Sequence, residues 1–127
     1  MRSDILMMLL AVVSSSAAAE WVEVYPHDEN FTNYADPASI SKAGDMVTMW
    51  SLGDRKMPSN KYMSFKYQIE YDCKKEQYRW LDTSYHSGRM GVGAGSHPNS
   101  GRPYWKPVRR RSGSLFEALW MFACAKR

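Results

Sequence analysis

The sequence predicts an α+β fold, in which a curved antiparallel sheet of about five to six strands carries one C-terminal helix on its concave face. Three observations predict this fold. Residues Met63–Cys73 alternate apolar and polar side chains, which is typical of a strand with one buried face. Shorter segments rich in β-branched and aromatic residues lie on both sides of it. The segment Leu115–Ala125 is apolar around most of a helix circumference, so a sheet must wrap it.

The N-terminal segment has the layout of a secretory signal peptide. Arg2 precedes the apolar run Ile5–Val13, and the small residues Ser14–Ala19 follow it. We expect cleavage after residue 19, which leaves residues 20–127 as one folded domain because a chain of that length supports a single core.

Membrane insertion and lipid anchoring are not expected. The run Ile5–Val13 falls short of the roughly 20 apolar residues that span a bilayer, and no later run is longer. The first cysteine is Cys73, so cleavage exposes no cysteine for a lipid. The net charge of +4 favours solubility and does not indicate a nucleic-acid partner. We expect a periplasmic or secreted protein.

The two cysteines, Cys73 and Cys124, predict one disulfide. An oxidising compartment favours the bond, and only one intramolecular pairing exists. Closing a loop of about 50 residues stabilises a fold by roughly 4 kcal/mol on the chain-entropy model. A metal site or a reactive thiol is the alternative, but the scattered histidines His27, His86 and His97 lack metal-ligand spacing. We expect no metal and no cofactor.

The first half of the domain contains three short predicted strands. Trp21–Tyr25 alternates apolar and polar residues, and Phe31–Asp36 is a second candidate. Ser39–Asp45 has the composition of a turn-rich connector, and Met46–Leu52 resumes with β-branched and aromatic residues.

The second half contains the long strand Met63–Cys73, a hairpin turn at Lys74–Glu76 and a paired strand over Gln77–His86. Gly88–Arg111 is rich in Gly, Ser, Pro and Arg without an apolar period, which predicts the longest loop.

A capping box predicts where the helix begins. The Ser114 hydroxyl can accept a hydrogen bond from a first-turn amide, while the Glu117 carboxylate reaches back. Cys124 then lies in the last helical turn, so the predicted disulfide pins the helix to the end of the long strand at Cys73.

Two patterns resemble catalytic or nucleotide motifs without fulfilling them. The run Gly88–Gly95 lacks the Gly-Lys-Ser/Thr ending of a phosphate-binding loop, so we interpret it as a flexible hairpin or bulge. Asp82, Ser84 and His86 are the residue types of a hydrolase triad, but their spacing along one strand places them about 7 Å apart. We predict no direct hydrogen bonds among them and no enzyme activity.

Basic residues are the better candidates for binding. One cluster precedes the helix with aromatic residues interleaved, and a second precedes the long strand. Either could bind sulfated glycans, lipid headgroups or an acidic protein, and the alternative is a solvated surface without a ligand. The candidate residues are Arg102, Trp105, Arg109, Arg110 and Arg111 in the first cluster, and Arg55, Lys56 and Lys61 in the second.

An ordered set of short motifs follows the signal segment through nearly the whole mature chain. The set resembles the surface-adhesin protein E family of proteobacteria. Its members are Glu20–Val22, Tyr34–Ile40, Val47–Trp50, Glu70–Cys73, Ser84–Gly88 and Ala118–Cys124.

The resemblance implies the same fold, an antiparallel sheet with a C-terminal helix tied to its concave face through Cys73 and Cys124. It also implies a non-catalytic surface protein that contacts host matrix or plasma proteins such as vitronectin, laminin and plasminogen, and that can form a homodimer. The alternative hypothesis is a periplasmic accessory or inhibitor protein that docks an envelope or enzyme partner.

Overall fold

Three long strands form the centre of the sheet. The computed structural model describes residues 20–98 and 103–125, so the predicted signal segment and Arg102 lie outside the described residues. The strands are β1 (Val22–Glu23), β2 (Phe31–Ala35), β3 (Ser41–Ala43), β4 (Met46–Arg55), β5 (Ser64–Asp72), β6 (Gln77–His86), β7 (Gly95–Ser96) and β8 (Lys106–Pro107), and the helix is α1 (Leu115–Cys124).

All strand pairings are antiparallel. The order across the sheet is β1-β2-β4-β5-β6-β7, with β3 also paired to β4 and β8 also paired to β6. The predicted fold class is confirmed, because an open antiparallel sheet carries one C-terminal helix. The described residues form eight strands instead of five to six, because β3, β7 and β8 are two or three residues long. Strands this short carry no readable alternation.

The long elements match the predictions closely. β6 has the predicted bounds, and β5 lies within the predicted strand. β4 continues three residues past its predicted end to Arg55, through a glycine that the Phe65 ring covers closely. The predicted connector and the predicted long loop were wrong in part, since β3 lies in the first and β7 and β8 lie in the second.

The two faces of the sheet differ in chemistry. Val47, Met49, Ile69 and Tyr71 point to one face and form its buried core. We call the other the helix-free face, and it carries the alternate residues of β4, β5 and β6. The pairing of β5 with β6 shifts register between Gln68 and Ile69, where β6 has one extra residue. Side chains alternate between the two faces of the sheet before and after this shift.

The cap of α1 differs in detail from the predicted box. The Ser114 hydroxyl accepts a hydrogen bond from the Glu117 N–H at 3.2 Å, as predicted. The Glu117 carboxylate, however, reaches past Ser114 to the N–H groups of Arg111 and Gly113. These hydrogen bonds, the one from Arg111 foremost, hold the pKa of the Glu117 carboxyl below its usual value.

Two contacts fix the C-terminal half of α1 to the end of β5. A disulfide joins Cys73, next after β5, to Cys124, and their Cα atoms are 5.6 Å apart. The indole N–H of Trp120 donates a hydrogen bond to the carbonyl oxygen of Asp72 at 3.0 Å. The helix therefore covers the core through buried Leu119, Trp120 and Ala123.

Beneath the helix-covered face, the phenols of Tyr67 and Tyr71 and the hydroxyl of Ser51 are buried, and they make no hydrogen bond within the described residues. Burial raises the pKa of both tyrosines above the usual 10.0.

We expect the protein to lose stability steeply above about pH 10, the ordinary tyrosine pKa. Above that pH the unfolded chain releases the phenolic protons, whereas the folded chain retains them because its tyrosine pKa values are raised. The loss approaches about 1.4 kcal/mol per pH unit for each tyrosine. Urea titrations between pH 8 and 11 measure it, and Tyr67→Phe should make the decline shallower. An equally steep decline in Tyr67→Phe and Tyr71→Phe would contradict the assignment.

Candidate functional site

The arginine run before the helix forms part of a larger cationic surface. The N–H of Val108 donates to the Glu76 carbonyl at 2.9 Å, which places Arg109, Arg110 and Arg111 beside the β5–β6 turn. That turn adds two exposed lysines that the sequence analysis did not include. We define this surface as the basic end, with the members Lys74, Lys75, Arg109, Arg110 and Arg111.

Among the described residues, Arg110 is the only cation of the basic end that makes an ion pair, and Lys75 also lies near the Asp72 carboxylate. Arg110 pairs with Glu76 at 3.3 Å and with Glu117 at 3.5 Å, and its guanidinium lies 4.9 Å from the Trp120 ring centroid. Arg109 and Arg111 are exposed and have no ion pair within the described residues. Arg110 therefore has a structural role, and its neighbours remain available to an anionic ligand.

The second predicted basic cluster lies at the other end of the strands. Ser64 pairs with His86 at that end and Asp72 pairs with Gln77 at the turn end, so about 25–30 Å of strand separates the two clusters. The amino-acid sequence does not show this separation, and the two clusters cannot contact one small ligand together.

Arg55 in that second cluster is held by the protein itself. Its guanidinium lies over the rings of Phe31 and Tyr62, at 5.1 and 4.3 Å, and its Nε donates to the Tyr62 carbonyl. Lys56 and Lys61 are exposed. We define Arg55, Lys56 and Lys61 as the far end.

Trp105 does not join the arginine run. Its ring lies 4.5 Å from the guanidinium of Arg79, which pairs in turn with Glu70 at 2.7 Å. The ion pair with Glu70 positions the Arg79 guanidinium, and the cation–π contact with that guanidinium holds this loop tryptophan against β6. Of the first predicted cluster, Trp105 thus contacts a strand cation, and Arg102 lies outside the described residues.

The prediction that Asp82, Ser84 and His86 make no direct hydrogen bonds was wrong for one pair. The Ser84 hydroxyl lies 2.7 Å from His86 Nε2. The predicted separation of about 7 Å applies to the backbone, whereas a histidine side chain leans along its strand and closes the gap. His86 Nδ1 faces the Gly93 carbonyl at 3.3 Å, and Asp82 lies 3.6 Å from His97 instead. A hydroxyl and an imidazole are therefore paired, without a carboxylate on the imidazole.

The glycine-rich loop Gly88–Gly95 folds back over the helix-free face, where two buried residues anchor it. Asp54 accepts hydrogen bonds from the Met90 N–H at 2.7 Å and from the Arg89 guanidinium at 2.8 Å. Ser64 donates to the Gly88 carbonyl and accepts from the Gly91 N–H. The loop is thus tied down at several points and is not the flexible hairpin that composition indicates.

Beside this loop, the helix-free face contains a cleft of about 390 Å³. The strands and the chain segments flanking them bring together side chains that are distant in sequence. Of the lining residues, only Ser84 and His86 had been considered together, as two members of an unfulfilled triad pattern. We define the cleft by its lining residues, which are Trp21, Asp36, Trp50, Lys66, Ser84, His86 and His97.

Two general properties bear on the kind of site. Among the residues that the structure describes, no three His, Cys, Asp or Glu side chains are grouped to hold a metal ion. No helix in the same part of the chain combines the length and apolarity needed to cross a bilayer.

Comparison with known proteins identifies one family. The model of the family described as surface-adhesin protein E matches residues 21–125. No curated protein sequence matches the chain. Among solved structures, a crystal form of Haemophilus influenzae protein E aligns with a TM-score of 0.68 at 12% identity, over 86% of this chain and 90% of that one. A second structure of that protein gives a TM-score of 0.66 at 12% identity, over 86% of each chain. At this identity the structural likeness shows the fold.

Proposed function

Because the chain belongs to the surface-adhesin protein E family, we propose that it is a non-catalytic exported binding protein whose basic end contacts an acidic region of a host matrix or plasma protein. The family suggests a surface adhesin and implies a non-enzymatic protein. The basic end carries the proposal, because Lys74, Lys75, Arg109 and Arg111 are exposed beside one another with no ion pair within the described residues.

The side chains around each surface favour the basic end over the far end as the binding surface. At the far end the Arg55 guanidinium is occupied by two aromatic rings and a carbonyl. The N–H of Lys56 donates to the Asn30 carbonyl, which places the acidic Asp28 and Glu29 close by in the chain. Nearby carboxylates weaken the attraction of a cationic surface for an acidic partner. At the basic end Glu76 and Glu117 are paired with Arg110, so Lys74, Lys75, Arg109 and Arg111 remain to attract an acidic surface.

Export is part of the same proposal. The residues before Glu20 have the layout of a signal peptide, and the family match begins immediately after that residue, at 21. The intact mass of the protein purified from periplasm and medium checks whether the mature chain begins at Glu20, and a full-length mass in both fractions would count against processing.

The binding proposal is tested with two matched triple variants. One replaces Lys74, Lys75 and Arg109 with glutamine, and the other replaces Lys42, Lys56 and Lys61, so each removes three positive charges from exposed positions. The exported protein is titrated over immobilised vitronectin, laminin and plasminogen at several salt concentrations. We expect saturable, salt-sensitive binding that the first variant weakens about tenfold or more and the second changes by less than about twofold.

Two results would overturn the proposal. Equal weakening by both variants would show that net charge, not the basic end, governs binding. No saturable binding to any of the three proteins would remove the adhesin role, and a pull-down from the periplasm that recovers one dominant partner would then favour the accessory-protein hypothesis.

A further inference from the structure

The cleft on the helix-free face lies apart from the basic end, and nothing in the proposed function uses it. Its volume of about 390 Å³ falls in the range of small-molecule sites. Seven residues from well-separated parts of the chain line it.

Two partly exposed indoles, Trp21 and Trp50, lie at one part of the cleft. Backbone hydrogen bonds bring the segments that carry the two indoles together. The Asp36 N–H donates to the Trp50 carbonyl at 3.0 Å, and β1, which follows Trp21, pairs with the residues just before Asp36. Exposed aromatic faces next to hydrogen-bonding groups suit a ligand with one apolar side and many polar edges. A pyranose ring has this character.

The polar groups of the cleft both donate and accept hydrogen bonds. Asp36 supplies a carboxylate, and Lys66 supplies an ammonium group. His97 adds an imidazole, whereas both ring nitrogens of His86 already face the Ser84 hydroxyl and the Gly93 carbonyl. A mixed set of donors and acceptors matches the hydroxyl groups of a sugar, each of which can do both.

The lysine of the cleft has no ion-pair partner among the described residues. Lys66 is half-buried and makes no ion pair within residues 20–98 and 103–125. A lysine held at a site without an anion can donate a charge-assisted hydrogen bond to an incoming carboxylate. The unpaired ammonium favours an acidic sugar over a neutral one, and the carboxylate of Asp36 disfavours a polyanion.

The glycine-rich loop Gly88–Gly95 lies close to the side chains of Lys66 and His86. A Cβ on Gly91, whose φ is +74°, would collide with the end of the Lys66 side chain. A Cβ on Gly95 would lie 2.8 Å from His86 Cε1. The buried anchors Asp54 and Ser64 fix the loop in this position. The loop thus packs closely against Lys66 and His86, which restricts the positions of these side chains before a ligand arrives.

The Ser84 and His86 pair fits the same role. Ser84 is buried at 4% exposure, and its hydroxyl fixes the imidazole from one side while the Gly93 carbonyl lies on the other. Hydrogen bonds on both ring nitrogens set the orientation of a histidine. The pair is therefore a positioning device at the floor of the cleft.

We propose that this cleft binds an oligosaccharide unit that carries a carboxylate. Trp21 and Trp50 contact the sugar rings, Asp36 and His97 bind hydroxyl groups, and Lys66 binds the carboxylate. The site is independent of the protein-binding surface at the basic end, so either can fail without the other.

The test measures binding of matched acidic and neutral probes to the exported protein by isothermal titration and by the indole resonances in NMR. The acidic probes are 3′-sialyllactose and a hyaluronan tetrasaccharide, and the neutral probe is lactose. We expect saturable binding of at least one acidic probe below about 10 mM and binding of lactose at least tenfold weaker. The Trp50 indole resonance should shift on titration.

Variants locate the site. Lys66→Gln should reduce affinity for the acidic probe about tenfold or more and leave lactose unchanged, whereas Lys42→Gln, on the exposed strand β3, should change neither. Trp50→Ala should abolish binding of both probes, with Trp105→Ala as its control. Thermal unfolding of each variant separates loss of fold from loss of the site. The proposal is falsified if no probe saturates, if lactose binds as well as both acidic probes, or if Lys66→Gln behaves like Lys42→Gln.

Discussion

Replacing Cys73 or Cys124 with serine is expected to lower the free energy of unfolding by about 4 kcal/mol. The disulfide closes a loop with a sequence separation of 51, and without it the unfolded chain gains the conformational freedom that the cross-link removes. A loss of this size is a large fraction of the stability of a small domain. Urea denaturation of the oxidised wild-type protein and of each variant measures it.

Control variants distinguish the loss of the disulfide from the effect of substituting a residue at this end of the helix. Ala125→Ser, next to Cys124 and exposed, should change stability by less than about 0.5 kcal/mol. Cys73→Ser, Cys124→Ser and the double variant should agree with one another, because each removes the same bond. A loss below about 1 kcal/mol, or two free thiols in native wild-type protein from the periplasm, would contradict a clamp between sheet and helix.

Trp120→Ala is expected to cost about 3–5 kcal/mol, the usual range for a large aromatic residue removed from a core. The side chain is buried in α1, donates to the Asp72 carbonyl and supports the Arg110 guanidinium. Trp120→Phe retains most of the packing but loses the indole N–H, so we expect a cost of about 1–2 kcal/mol beyond the change in packing.

Met121 provides the matched control for this position. It occupies the next residue of the same helix and is 52% exposed, so Met121→Ala should cost less than about 0.5 kcal/mol. The Trp120 and Cys124 contacts both act on the same end of α1, and we expect the combined variant to lose less than the sum of the single losses. Equal costs for Trp120→Ala and Met121→Ala in urea denaturation would show that α1 is not docked through Trp120.

The parts of the fold that were predictable are those with a strong local signal. The alternation over β5, the aromatic and β-branched residues of β6 and the apolar stripe of α1 each span nine or ten residues, long enough for a pattern to be read. Ser114 marked the start of the helix through its capping hydroxyl. The strands β7 and β8 gave no such signal, since two residues define no period and their pairing depends on β6.

The candidate sites were predictable only where their residues are neighbours in sequence. The arginine run was visible, but Lys74 and Lys75 joined it only through the fold. Asp54 falls in the polar segment Gly53–Asn60, which its composition predicts to be a loop, whereas it is a buried carboxylate in β4 that accepts a hydrogen bond from the Met90 N–H. The cleft was not foreseeable, because Trp21, Trp50, Lys66 and His97 share neither a motif nor a spacing.

Binding through the basic end is tested most directly by hydrogen–deuterium exchange of the exported protein, free and bound to whichever matrix or plasma protein it captures in a salt-sensitive manner. We expect slower exchange on binding for the amides of residues 74–76 and 109–112, with residues 55–62 and the cleft unchanged. Slower exchange confined to residues 55–62, or none at the basic end, would contradict the assignment of that surface.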